Sequence, residues 1–276
     1  MTIIDDRKAA LLARVRDYGG PLNELPVLAQ FLAQVMHESG GLRYVREIWG
    51  PTKAQKGYEG RKDLGNTQPG DGKRFMGRDV IQVTGRANHR AITAWVRKTF
   101  GGGPDFEANP ELLESPEWLG IGAIWYFLAA RKDLIKYCRE GNIEMVTRRV
   151  NGGLNGYQDR LHWYDLSALK LLGFADVRAF QKSAGLVTDG ISGPKTRAAL
   201  HEALGKVKTK PHVSETAKIE HKPPVMSKKT PVSDTKPAPA KTGGWLKGAL
   251  VGAGLAGGYI YATWQDFTAW VASLFN

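Results

Sequence analysis

From Val27 to Met36 the apolar residues Val27, Leu28, Phe31, Leu32, Val35 and Met36 recur at helical spacing. The pattern predicts a helix with one buried face. Pro26 suits its first turn, and Gly40-Gly41 stops it. Upstream, residues 5–18 predict a first helix with Ala10, Leu11, Val15 and Tyr18 available for burial, broken by Gly19-Gly20-Pro21. Residues 39–80 show weak periodicity and are rich in Gly, Lys, Asn, Gln and Pro. A loop of that length within a compact domain is usually functional or disordered. A helix is expected over 87–100, ended by Gly101-Gly102-Gly103-Pro104. Ser115-Pro116-Glu117 is an N-terminal signal, and the nearly all-apolar run Trp118 to Ala130 predicts the central core helix. A short helix carrying Ile143, Val146 and Val150 stops at Asn151-Gly152-Gly153, and 159–172 reads as helical again.

The texture then changes. Two short helices, 174–181 and 195–204, flank a tight loop over 185–194. Residues 205–244 are rich in Lys, Pro, Thr and Ser with few apolar positions, which predicts a disordered linker. Residues 245–264 are apolar apart from Lys247 and a few hydroxyls, about the length that spans a bilayer. Gly248/Gly252 and Gly254/Gly258 are small-xxx-small pairs suited to close helix contact in lipid. Phe267, Trp270, Val271 and Leu274 form an amphipathic end. Three readings follow for this tail: a transmembrane span, an interfacial or membrane-disrupting helix, and a soluble packing helix.

Charge narrows the partners. The net charge is +12, which suits an anionic partner. Nine Lys against Glu215, Glu220 and Asp234 in 205–244 supply about half of it, so the folded part is only moderately basic. A nucleic-acid binder therefore ranks last. Cys138 is the single cysteine, which excludes an intrachain disulfide and a thiolate-rich metal site. The charged N-terminus has no apolar signal core, so synthesis in the cytoplasm without a cleaved signal is expected. The six His show no ligand spacing, and no cofactor or metal is expected. His37-Glu38 is not a zinc-protease helix, because Gly41 stands where a second His is needed. Neither a nucleotide-binding loop nor a Gly-x-Ser-x-Gly elbow occurs.

What remains is carboxylate chemistry. Glu38 falls in the last turn of a core helix, where end carbonyls carry partial negative charge. That field and partial burial suit a carboxyl that keeps its proton, as a general acid must. Glu47 and Glu59 follow in the long loop. Two carboxylates facing a cleft are the minimum equipment for glycoside hydrolysis. Gln82, Thr84, Asn88 and Asn151 are uncharged hydrogen-bonders in Gly-bounded segments, and Tyr58, Trp49 and Phe75 offer rings for sugar faces.

Residues from about 25 to 165 resemble the family 19 glycoside hydrolases, in the branch found as phage and bacterial endolysins. The matching pieces are His37 to Gly41, Tyr58-Glu59-Gly60-Arg61, Leu64 to Gly72, Arg74 to Thr84, and Val150 to Gly156. Asp79 departs from the family's usual Gly, and His89 stands where endolysins often have Tyr. The resemblance implies a mainly α, lysozyme-like, two-lobed helical catalytic domain with its cleft between the lobes. It implies that Glu38 is the general acid of an inverting reaction, with Glu47 or Glu59 as base, Thr84 holding the water, and Gln82, Asn88 and Asn151 binding sugar. Arg160 matches a family arginine that orients the base. An inverting pair stands roughly 6.5–9.5 Å apart.

Residues 174–204 are similar to the second half of the peptidoglycan-binding helical module, through Val177 to Gln181, Asp189-Gly190-Ile191 and Gly193 to Thr196. The expected organisation is a catalytic domain over 1–165, a wall-binding module over 166–204, the linker over 205–244 and a C-terminal hydrophobic helix over 245–276. The expected activity is that of a monomeric endolysin cleaving the β-1,4 bonds of peptidoglycan glycan strands, with the tail at the bacterial membrane. A lytic transglycosylase, a chitinase and a non-catalytic wall anchor are the competing readings.

Overall fold

The computed structural model describes residues 2–207. The linker and tail expectations for 208–276 lie outside these residues. Among the described residues no helix is long and apolar enough to cross a membrane.

Helix α2 (Leu25–Glu38) runs through the core and is buried on nearly every side from Leu25 to Val35. α1 (Ile3–Tyr18) precedes it, held at its start by a capping box between Thr2 and Asp5. α2 packs along α9 (Tyr157–Leu171) and touches α7 (Leu134–Arg139), α8 (Ile143–Asn151) and α11 (Pro194–Lys206). Phe31 meets Phe127 edge-on at 5.0 Å between ring centroids. Each fully buried Leu or Phe in this core contributes roughly 1.5–3 kcal/mol. Gly40 and Gly41, at φ 57° and 72°, turn the chain out of α2 in a conformation that favours glycine. The Ser39 hydroxyl donates to the Val35 carbonyl at 2.7 Å and accepts from the Leu42 amide at 2.9 Å, which fixes the exit.

The architecture is mainly α, as expected, and the only β pairing among the described residues is two isolated antiparallel bridges, Arg46 with Arg78 and Arg78 with Val83. The expected helix over Trp118–Ala130 is corrected. Gly120 stands at φ 94°, so the chain turns there and α6 covers only Ile121–Trp125. The chain stays helical beyond it as a π-helix over Tyr126–Ala130, so the expected helix holds from Ile121 onward. The role of central helix belongs to α2.

The long polar stretch after α2 is ordered by polar contacts in place of a core. It holds the short helices α3 (Lys53–Lys56) and α4 (Asp71–Arg74) and leads into α5 (Arg86–Phe100). The Arg86 guanidinium grips the buried Asp71 carboxylate at 2.9 and 2.5 Å and reaches Glu107 at 3.1 Å. Two-pronged pairing of this kind fixes geometry as well as energy. Asn66 joins the Tyr58 carbonyl to the Arg86 amide, both at 2.9 Å.

Beyond α9 lie α10 (Val177–Ser183) and α11. α9 runs through residue 165, so the domain boundary expected there falls inside a helix. Phe180, Leu200 and Leu204 belong to the same core as α2. Arg197 grips Asp165 through two 2.9 Å bonds. Within the module Gln181 donates to Asp189 at 2.8 Å and accepts from the Gly190 amide at 2.8 Å, which gives the Asp-Gly-Ile motif a structural purpose.

Candidate active site

Glu38 closes α2 with 12% of its side chain exposed, and the fully buried Arg160 of α9 reaches it. Arg160 Nη2 donates to Glu38 Oε1 at 2.5 Å, and Nη1 donates to Gln34 Oε1 at 2.5 Å. Gln34, one turn before Glu38, donates in turn to the Thr147 hydroxyl of α8 at 3.3 Å. One glutamate oxygen is thus held from behind, while Oε2 has no hydrogen-bond partner among the described residues. The helix end and partial burial of Glu38 were legible in the sequence; its direct contact with a buried guanidinium was not. Arg160 was expected to orient the base, and it lies instead on the expected acid. Asn151 sits on the same side: its amide and Arg160 Nε both reach the Asn155 carbonyl at 3.4 Å.

Glu47 is the focus of a second cluster. Its Oε1 accepts from Gln55 Nε2 at 3.0 Å and from the Tyr58 hydroxyl at 3.3 Å, and its Oε2 accepts from the Gly77 amide at 3.1 Å. A carboxylate, with acceptors only, matches three converging donors. Two side chains close on the bare backbone of Gly77: a Cβ there would stand 2.6 Å from Gln82 Oε1 and 3.4 Å from Glu47 Oε2. Gln82 therefore shares this corner with Glu47, and its own backbone is left-handed at φ 57°. Thr84 donates to the Gln82 carbonyl at 3.0 Å, and Asn88 to the Thr84 carbonyl at 2.8 Å. The half-buried polar residues expected to meet substrate thus hold one another in a chain.

Glu59 has a different setting. It is exposed, and its two oxygens accept from the Gly70 and Gly72 amides at 2.6 and 2.8 Å, at the start of α4. Tyr58 and Phe75 were expected to offer sugar-stacking faces. Both are buried, Tyr58 at 5% and Phe75 at 0% exposure, because both rings complete the packing under the loop. Burial, with Glu47 second, pushes the Tyr58 phenol up, so it stays a proton donor to Glu47. Trp49, whose ring centroid lies 6.4 Å from that of Tyr58, keeps exposed surface.

Gln55 escaped the sequence analysis, and Asp79 entered it only as a departure from a family pattern. Gln55 is buried and, besides binding Glu47, accepts from the Gly50 and Thr52 amides at 3.1 and 2.7 Å. Its signal was present: Thr52-Lys53-Ala54-Gln55 is a capping box. Asp79 is fully buried at φ 64°, with its oxygens on the Gly120 and Ala123 amides at 2.6 and 2.8 Å. It ties the segment carrying Gln82 to the start of α6. Burial pushes its carboxyl up to about 7 against those amide bonds. His89, also buried, donates from Nδ1 to the Gly85 carbonyl at 2.9 Å, and burial holds it down at about 4. Cys138 is buried and its thiol is pushed up by that burial, as suits packing and not attack. Among the described residues no three His, Cys, Asp or Glu converge as a metal site.

Two segments of the chain match known proteins. Residues 175–200 match a family model described as "Putative peptidoglycan binding domain". The chain is 32% identical over 165 residues to a "Glycosyl hydrolase family 19 domain-containing protein" of Haemophilus influenzae, a match that takes in 49% of this chain and 76% of the relative. Among solved structures, chitinase C from Streptomyces griseus is 21% identical with a TM-score of 0.47, over 60% of this chain and 69% of that one. A bacterial family 19 chitinase is 21% identical with a TM-score of 0.45, over 58% of this chain and 83% of that one.

Proposed function

The chain belongs to glycosyl hydrolase family 19, and from that premise we propose that it hydrolyses the β-1,4 bonds of bacterial peptidoglycan with inversion. The observation that carries this reading is the setting of Glu38. One oxygen is held by the buried Arg160, which fixes the side chain, and the other is unengaged and free to meet the bridging oxygen. Glu47 is the base: its three donors aim a carboxylate that takes a proton from water on the opposite face of the sugar. Glu59 is the clasp of the loop. Gln82, Thr84, Asn88 and Asn151 line the sugar path, and Thr84 positions the water.

The peptidoglycan-binding segment selects the polymer. It is fixed to the hydrolase by Arg197 and Asp165, so binding wall and placing the cleft are one event. The biological role that fits is lysis of a bacterial cell, as an endolysin acting as a monomer. The apolar sequence of 245–264 supports delivery to the membrane, and a fusion of 205–276 to a fluorescent protein that stays wholly soluble would remove that part.

Purified wall digested by wild type and by Glu38→Gln, followed by mass spectrometry, tests the activity. Reducing ends that disappear in the variant are expected. Ends of the 1,6-anhydro type would assign a transglycosylase instead, and lysis undiminished in Glu38→Gln would leave a wall anchor.

A further inference from the structure

A groove of about 500 Å³ opens beside Glu47, between the start of α1 and the loop that follows α2. Its charged lining is Arg7, Arg43, Arg46, Lys73, Glu47 and Glu114. Four cations against two carboxylates leave an excess, and the pairing inside the groove sharpens it. Glu114 is taken by Arg78 and, at 3.6 Å, by Arg46. Glu47 is taken by its three donors. Arg43 and Lys73 are both exposed and have no carboxylate partner among the described residues.

The position of Arg43 is built. Arg7 Nη1 donates to the Leu42 and Arg43 carbonyls at 2.9 and 2.8 Å, a clamp from α1 onto the chain that leads to Glu47. Leu42 is fully buried at φ 66°, a left-handed conformation that costs a leucine free energy and persists only where surroundings impose it. Tyr44 and Ile48, 45% and 74% exposed, add apolar surface at the rim. A strained, clamped segment presents the Arg43 guanidinium, and α4 presents the Lys73 ammonium, next to the proposed base.

We infer that this groove is a second subsite, in which Arg43 and Lys73 bind the carboxylates of the peptide stems carried by the wall glycan. The inference rests on the reading of the chain as a peptidoglycan hydrolase and adds how it tells that polymer from an uncharged amino-sugar chain. A neutral glycan offers no charge to these side chains. A stem peptide offers several carboxylates along an extended backbone, and guanidinium is the group best matched to them. Charge pairing of this kind separates partners more than it raises overall affinity. The stem, held beside Glu47, sets the register of the sugar to be cut.

The test uses the full chain on two substrates: stem-bearing glycan, and the same glycan stripped of its stems by an amidase and with the lactyl carboxylates so exposed converted to amides. Wild type is expected to favour the stem-bearing form in kcat/KM, mainly through KM, and less so as salt rises. Arg43→Gln/Lys73→Gln is expected to shrink that preference about tenfold, and Arg43→Lys/Lys73→Arg to restore most of it. Equal preference in wild type and the Gln variant overturns the subsite while leaving the hydrolase reading intact. Absence of new reducing ends from either glycan with wild type overturns the hydrolase reading itself. A titration of wild type with free stem peptide and with its fully amidated form needs no variant. Binding of the first alone supports the subsite, and equal or absent binding of both sinks it.

Discussion

Arg160 Nη2 lies 2.5 Å from Glu38 Oε1, and the same guanidinium holds Gln34, one turn earlier on α2, at 2.5 Å. The pair couples stability to the site. Arg160 is fully buried, so Arg160→Ala opens a void behind Glu38 and removes the bonds to Glu38 and Gln34. Truncating a large buried side chain to Ala costs about 3–5 kcal/mol. Chemical denaturation is expected to show a loss of that order. Arg160→Lys is expected to recover part of the stability and little of the turnover, because an ammonium cannot serve Glu38 and Gln34 in one plane. Equal recovery of both would confine Arg160 to a structural role.

Gln55 separates packing from chemistry at Glu47. Its carbonyl oxygen serves the Gly50 and Thr52 amides, and its amide nitrogen serves Glu47 and the Ile48 carbonyl. Gln55→Ala removes four hydrogen bonds to partners on exposed or half-buried residues, at a total of about 1–3 kcal/mol. Gln55→Glu keeps both acceptances but sets a second carboxylate against Glu47. It is expected to retain more stability than Gln55→Ala and to lose more turnover. Parallel melting curves and initial rates on wall glycan read the two effects.

Asp79 and His89 give opposite pH dependences. Asp79 is held at about 7 in the fold against an ordinary 3.8, so between these values the native state carries the extra proton and stability falls as pH rises. His89 is held at about 4 against 6.5, so there the unfolded state carries the extra proton and stability rises with pH. One proton corresponds to about 1.4 kcal/mol per pH unit, and the two slopes cancel over much of the window from 4 to 6.5. Denaturation midpoints of wild type are expected to be nearly flat there as far as these two residues decide it. Asp79→Asn is expected to rise with pH, and His89→Phe to fall. The same sign in both variants would contradict the assignment.

Much of the helical frame was legible because apolar residues return with the helical period. α1, α2, α5, α8 and α9 lie close to where that period puts them. The run from Trp118 to Ala130 misled because it has no polar face, so nothing in the pattern marks the turn at Gly120. The order of the stretch after α2 was hidden for a different reason. It rests on Asp71, Arg86, Glu107 and Asn66, and polar pairing leaves no periodic trace. Glu38 could be read from its helix end. Its partner Arg160 stands 122 residues away, and only folding brings the two together. The buried places of Tyr58 and Asp79 follow from packing that no local pattern carries.

The division of roles among the three glutamates is the centre of the account, and rates of wall digestion by Glu38→Gln, Glu47→Gln and Glu59→Gln test it most directly. Removing a general acid or base typically costs about 10²–10⁴-fold. Losses of that size are predicted for the Glu38 and Glu47 variants, with the Glu59 variant within a few-fold of wild type. A Glu59 variant as inactive as Glu38→Gln, beside a Glu47 variant that still digests wall, would contradict the account.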